Sequence, residues 1–229
     1  MSLPDPPISW LVLGDSLSDG MWARDPAGIG SAWPAAASRL AQPLGWELDI
    51  VNRSRGGSRS VEVLADLRLG PEAARDRGVC VLVGANDLWR RWVPWEDHDW
   101  VDPDDFARNL RRIVALSRDH GALDVVLMTP CLLHADPDHE WNLAMGEYRE
   151  VVGLVARSEG ARLVPSGEDF EASVRAVPSV KWTYDGVHPR PVGHERLAHT
   201  WLHHVFGTPS LEASTVPEKP QGHRLGNWP

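Results

Sequence analysis

The sequence predicts an α/β domain built on a mostly parallel sheet with helices on both faces. Three observations carry that expectation. Short apolar runs alternate with longer amphipathic stretches along most of the chain, the order that generates strand–helix crossovers and parallel pairing. The apolar runs are rich in Val, Leu and Ile without strict alternation, as strands covered on both faces are. A length of 229 residues suits one core of this class.

Taken in order, Ser9–Leu13 reads as the first strand. Ala32–Ala41 reads as a helix, with Ser31 as its N-cap and Pro34 in its first turn. Glu47–Asn52 is the second strand and Ser60–Leu69 the next helix. Val79–Val83 forms the third strand. Helical spacing returns over Asp104–His120, where Phe106, Leu110, Ile113, Val114 and Leu116 share one face while Arg108, Arg111, Arg112 and Arg118 point to water. Asp124–Met128 is the fourth strand, Glu140–Glu159 a helix, Arg162–Val164 the fifth strand, and Val192–Phe206 the closing helix. After it, residues 208–229 hold four prolines and no hydrophobic period, so one domain over 1–207 and a Pro-rich tail over 208–229 are expected.

Composition narrows the function classes. Hydrophobic residues make up 42% and charged residues 24%, ordinary for a globular protein, and the net charge is -9. Such a balance, with no dense Lys/Arg run, argues against nucleic acid as a partner. No apolar stretch reaches the roughly 18 residues that membrane insertion requires. The apolar run at Ile8–Leu13 is too short for a secretory leader and leads directly into a chemical motif, so a cytoplasmic location is expected. Cys80 and Cys131 lie in or beside apolar runs and read as small buried hydrophobes, not a disulfide framework.

Four turns carry the chemistry. Gly14-Asp15-Ser16-Leu17-Ser18-Asp19-Gly20 stands where the first strand ends, and ligands of open parallel sheets bind beyond the carboxyl ends of strands. A serine at that turn presents its hydroxyl to the crevice. Taken alone, the segment is equally an ordinary Ser/Asp turn and N-cap. A phosphate loop is excluded, because neither the Walker pattern nor G-x-G-x-x-G is present. Near the other end, Asp185-Gly186-Val187-His188-Pro189 places a carboxylate three residues before an imidazole. In a turn, that spacing lets the carboxylate orient the ring and stabilise its protonated form, and a serine nucleophile needs such a base. Asn52-Arg53-Ser54-Arg55-Gly56-Gly57 follows the second strand and Gly84-Ala85-Asn86-Asp87 the third. Each is an ordinary turn by itself, yet a glycine N–H and an asparagine amide there suit an oxyanion hole.

The four turns together, in this order and at strand ends, resemble the SGNH (GDSL-type) hydrolase family from about Ser9 to Phe206. Gly14-Asp15-Ser16 matches its first block, Gly57 its second, Gly84-x-Asn86-Asp87 its third and Asp185-x-x-His188 its last. The resemblance implies a flavodoxin-like three-layer α/β/α sandwich whose five-stranded parallel sheet is ordered 2-1-3-4-5. It implies Ser16 as nucleophile, with His188 and Asp185 completing a triad, and an oxyanion hole of the Ser16 N–H, the Gly57 N–H and the Asn86 side chain. Gly57 is preferred over Gly56 because it lies five residues after Asn52, the commoner spacing. Asp87 supports the loop without donating. The implied reaction is hydrolysis of a small or medium acyl ester through an acyl-enzyme, with no metal or organic cofactor. Acyl transfer or thioester hydrolysis on the same scaffold, and a non-catalytic binding module, stay open.

Two further features ask for a role. The segment 88–100 begins beside Asn86 and carries four tryptophans; Trp89 and Trp92 are candidates for the substrate-pocket wall, and the segment could equally serve a contact between copies of the chain in a homo-oligomer. His199 and His203 are i, i+4 on the last helix, but Thr200 stands where a zinc protease has glutamate, so His194, His199, His203 and His204 are read as surface or packing residues and no metal is expected. His134, Asp136, Asp138 and His139 read as a solvated loop after the fourth strand.

Overall fold

A computed structural model describes residues 8–93 and 99–217. Its sheet is formed by β1 (Ser9–Gly14), β2 (Asp49–Asn52), β3 (Gly78–Leu82), β4 (Asp124–Met128) and β5 (Arg162–Val164). The order is β2-β1-β3-β4-β5 and every pair is parallel, as the resemblance implies. The helices are α1 (Ser16–Asp19), α2 (Trp33–Ala41), α3 (Ser60–Leu69), α4 (Ala85–Trp89), α5 (Pro103–Asp119), α6 (Glu140–Glu159), α7 (Ser166–Ala176) and α8 (Pro191–Phe206).

Alternation along each strand divides the apolar residues between two cores. Leu11, Leu13, Val79, Val81, Val125 and Leu127 pack beneath α3, α5 and α6. Trp10, Val12, Cys80, Leu82, Val126 and Met128 pack beneath α2, α7 and α8. Three layers follow, with strand ends free along one rim. Cys80 and Cys131 are both unbridged and buried on the second side.

The helices form for local reasons that the sequence carries. In α5, Asp102 accepts the Asp105 N–H at 2.9 Å and Pro103 occupies the first turn, where its missing N–H is harmless. Phe106, Leu110, Ile113 and Val114 are buried, Leu116 is half-buried, and the four arginines are exposed. Expected strand and helix ends move by no more than two residues. Three differences matter. The N-cap of α2 is Ala32, not Ser31, because the Ser31 hydroxyl donates to Gly20 O at 3.3 Å instead of capping. The sequence offers no expectation for α7 and α4, and for α1 only the N-cap at the Gly14–Gly20 turn, which Asp15 supplies. The C-terminal segment lies against α8 as far as it is described, since Arg196 Nη1 donates to Leu211 O at 2.7 Å and to Glu212 O at 3.1 Å. Its remainder, 218–229, and residues 94–98 of the Trp-rich segment lie outside the described residues. No helix among the described residues is long and apolar enough to cross a membrane.

Candidate active site

The site grows from the carboxyl ends of β1, β2 and β3. At the end of β1 the chain passes so near β3 that a Cβ on Gly14 would stand 2.2 Å from Leu82 O, so only glycine fits. Asp15 then leaves the strand and caps α1, accepting the Leu17 N–H at 3.0 Å. Ser16 is the first residue of α1 and half-buried, and its N–H has no partner within the helix.

The turn before α8 reaches across to it. His188 Nε2 lies 3.1 Å from Ser16 Oγ, and His188 Nδ1 lies 2.6 Å from Asp185 Oδ2. Asp185 Oδ1 also accepts the N–H groups of Val187 at 3.0 Å and His188 at 2.8 Å, so the carboxylate folds the turn as well as facing the ring. The Tyr184 N–H to His188 O bond of 2.8 Å closes the loop at its base. With Nδ1–H donated to the carboxylate, Nε2 is left to accept the serine hydroxyl. Partial burial raises the Asp185 pKa, but the His188 N–H, the His188 ring and the Val187 N–H outweigh it and hold the pKa below its ordinary value. The pair is open to water: the side chain of His188 is 45% exposed and that of Asp185 53%.

Beyond β2 the chain makes a tight turn, with the Ser58 N–H on Arg55 O at 3.1 Å and Gly57 at φ +81°, the left-handed value a type II turn needs at its third position. Gly56 donates its N–H to Asp19 Oδ2 at 2.9 Å, which ties this turn to the end of α1. Among the described residues the Gly57 N–H meets no protein acceptor. Asn52, at the end of β2, donates to Ser18 O at 2.7 Å and Ile29 O at 3.0 Å and accepts the Ser54 N–H at 3.1 Å. Beyond β3, Asn86 Nδ2 is 3.1 Å from Ser58 O and 3.4 Å from Asp15 Oδ2, the second contact being at the long limit of a hydrogen bond. Asp87 faces away, with both carboxylate oxygens on the Ser60 N–H at 3.0 Å and Oδ1 on the Ser60 hydroxyl at 2.5 Å. Burial pushes both Asp15 and Asp87 up to about 7, Leu17 and Ser60 hydrogen bonds opposing it and mutual repulsion adding to it for Asp15.

Ser16, Gly57 and Asn86 thus follow the ends of β1, β2 and β3, while Asp185 and His188 reach the same rim from the turn before α8. Trp89 and Trp92 are half-buried and rest on the same core cluster as Val187, the residue before His188. In the segment expected to be solvated after β4, Asp136 and Asp138 are exposed, while His134 and His139 are half-buried, stack on each other at 3.9 Å and lie roughly perpendicular to Trp141. Among the described residues no three His, Cys, Asp or Glu side chains converge to hold a metal. His194 is half-buried, and loss of water around its ring, with repulsion from His188 added, pushes its pKa down to about 4. Asp19, Asn52 and Ser58, which hold the turns after β2 and β3 in place, escaped the sequence reading; only the position of Asn52 at a strand end hinted at its part.

The family described as GDSL-like Lipase/Acylhydrolase matches residues 12–196. An acetylxylan esterase of Geobacillus stearothermophilus is 26% identical over 204 residues, covering 85% of this chain and 92% of its own. The crystal structure of the acetylxylan esterase Axe2 from Geobacillus stearothermophilus superposes with a TM-score of 0.77 at 25% identity, covering 88% of this chain and 95% of that one. An alpha/beta hydrolase enzyme from the metagenome of Lake Arreo, Spain, shares the fold, with a TM-score of 0.76 at 21% identity over 89% of this chain and 97% of that one. The chain belongs to the GDSL-like lipase/acylhydrolase family and is an ester hydrolase.

Proposed function

We propose that the protein removes acetyl groups from a saccharide, with Ser16 as nucleophile. The observation that carries the reading is the continuous relay from Ser16 Oγ through His188 at 3.1 Å to Asp185 at 2.6 Å. His188 takes the serine proton as Oγ attacks the ester carbonyl, and Asp185 stabilises the imidazolium that results. The tetrahedral oxyanion is held by the Ser16 N–H, the Gly57 N–H and Asn86 Nδ2. Gly57 is chosen over Gly56 because Asp19 already takes up the Gly56 N–H. Collapse of the intermediate releases the sugar hydroxyl, which leaves with the proton from His188. Water then repeats the cycle on the acetyl-enzyme and returns Ser16.

Two considerations support the finer points. Solved variants of the Geobacillus stearothermophilus esterase described as catalytic mutants exchange a serine, an aspartate and a histidine for alanine, the last two three positions apart as Asp185 and His188 are. Exposure of His188 and Asp185 lets water reach the acyl-enzyme, which favours hydrolysis over transfer to another alcohol, a reaction that needs water excluded. The acetyl-saccharide assignment follows the acetylxylan named for that relative.

The test compares native protein with Ser16→Ala on 4-nitrophenyl acetate, butyrate and octanoate and on acetylated xylotriose. Native protein is expected to turn over acetyl esters fastest, and Ser16→Ala to lose at least about a thousandfold in kcat. Equal rates for the two proteins would remove Ser16 from the mechanism, and a preference for octanoate would overturn the acetyl assignment.

A further inference from the structure

A ring cluster bridges the two flanks of the crevice. From Asn86 the chain runs through α4 to Trp92, whose ring stacks on Trp141 with centroids 5.5 Å apart and planes 23° from parallel. Trp141 lies nearly perpendicular to His139, with centroids 5.2 Å apart, and to His134 at 6.4 Å. On the opposite flank, Gly186 of the Asp185–His188 turn lies so close that a Cβ there would stand 2.7 Å from Ala135 N and 3.2 Å from His134 Cα. The loop that carries His134 is pinned by the buried Asn142, which accepts from Leu133 N at 2.6 Å and donates to His134 O at 2.9 Å. The ring cluster is thus tied at one end through α4 to Asn86 and at the other through the backbone of the His134 loop to the Asp185–His188 turn.

Their polar atoms point to the ligand class. Trp22, Trp33, Trp100 and Trp182 each donate the indole N–H to a protein oxygen. Among the described residues, the indole N–H groups of Trp92 and Trp141 meet no such acceptor. His134 Nδ1 accepts the Asp136 N–H at 3.1 Å and His139 Nδ1 the Trp141 N–H at 3.3 Å, which leaves the proton of each neutral ring on Nε2. Arg91 lies over the Trp92 ring at 5.7 Å and adds guanidinium donors at that end. All four rings are half-buried, so packing leaves part of each uncovered. Apolar faces edged by N–H donors match a pyranose ring, with C–H faces for stacking and hydroxyl oxygens that accept. A long acyl chain would cover the faces and leave the donors unpaired, which costs affinity.

We propose that Trp92, Trp141, His134 and His139 form a saccharide subsite that seats a pyranose ring of the acetylated substrate next to the Ser16–His188 pair. The subsite rests on the acetyl-saccharide reading above and specifies how that substrate is held. The test uses Trp92→Ala, Trp141→Ala and Trp141→Phe, the last keeping a ring face and losing the N–H. Steady-state kinetics on acetylated xylotriose and 4-nitrophenyl acetate give a ratio of kcat/KM values. In each alanine variant this ratio is expected to fall about tenfold, mostly through KM for the saccharide, and less in Trp141→Phe. An unchanged ratio, with native protein still deacetylating the saccharide, overturns the subsite and leaves the proposed function standing. Native protein that cleaves 4-nitrophenyl acetate but not the saccharide overturns both. A changed octanoate-to-acetate ratio with an unchanged saccharide ratio assigns the rings to the acyl side and overturns the subsite. Should an alanine variant fail to fold, calorimetric titration of Ser16→Ala with acetylated xylotriose, with and without Trp141→Phe, decides: weaker binding with the second substitution supports the subsite and equal affinity overturns it.

Discussion

Asp15 and Asp87 stand one residue before Ser16 and one after Asn86, and neither side chain is accessible to water. Burial is the main reason their pKa values rise to about 7. An unfolded aspartate titrates near about 4, so between about pH 4 and 7 the native state holds protons that the unfolded state has lost. Stability from these groups is therefore full below that window and is lost as pH rises through it. Urea unfolding of the native protein between pH 5 and 8 should show a declining free energy, by up to about 1.4 kcal/mol per pH unit for each carboxyl. In Asp87→Asn the decline should be shallower, because one of the two groups no longer ionises. Parallel pH profiles for the two proteins would refute the linkage. At this scale the sequence offered Ser16, Asp185, His188, Gly57 and Asn86 as candidates through their residue types, and the structure brings the first three within hydrogen-bond distance of one another. It was silent on Asp19 and Ser58, whose parts are bonds between one side chain or carbonyl and a distant loop.

Among the elements, legibility followed the size of the apolar signal. The helices α3 and α6 fall on their expected residues because each buries a run of large side chains at helical spacing. The helix α7 escaped because its buried face is mostly Ser166, Gly167 and Ser173, with Phe170 the single large apolar residue there. Small polar residues give no hydrophobic period to read. The short α1 and α4 are fixed by their neighbours instead. Asp19, the last residue of α1, accepts the Gly56 N–H with one oxygen and the Met21 N–H at 3.1 Å with the other, so it clamps the turn after β2 to the helix that presents Ser16. In the proposed mechanism Asp19 therefore positions the Gly57 N–H. Asp19→Ala should lower kcat roughly tenfold to a hundredfold with a smaller change in KM, because a misplaced oxyanion donor is felt mainly in the transition state. Kinetics on 4-nitrophenyl acetate check this, and a variant whose loss lies wholly in KM would break the link between the clamp and the oxyanion.

At the scale of the molecule, the two cores meet their hardest demand at α8, which must hold His188 in line with Ser16 from the far end of the sequence. The helix begins three residues after His188. Trp201 anchors it by packing edge-on against Trp10 with ring centroids 5.1 Å apart and, tilted by 51°, against Trp33 at 5.6 Å. Glu195 pairs with Arg39 of α2 and ties the same helix to its neighbour in the layer. The third support comes from the segment after Phe206, which composition alone marked as a tail. Arg196 is buried, and the described acceptors of its Nη1 are the carbonyls of Leu211 and Glu212. Removing residues 208–229 would leave that guanidinium nitrogen without those carbonyls. Water could replace them only where the deletion opens a path, and a buried donor left unsatisfied costs about 1–3 kcal/mol, with a charged one at the upper end or above. The shortened protein should therefore unfold at lower denaturant by about that amount. Its kcat at 25 °C should be retained, since the Trp10, Trp33 and Arg39 contacts still dock α8. An Arg196→Met change in the full-length chain, which removes the charge while keeping much of the side-chain volume, should make the same deletion markedly less costly. Equal losses from the deletion with and without Arg196→Met would show that the segment stabilises the fold by some route other than this pairing.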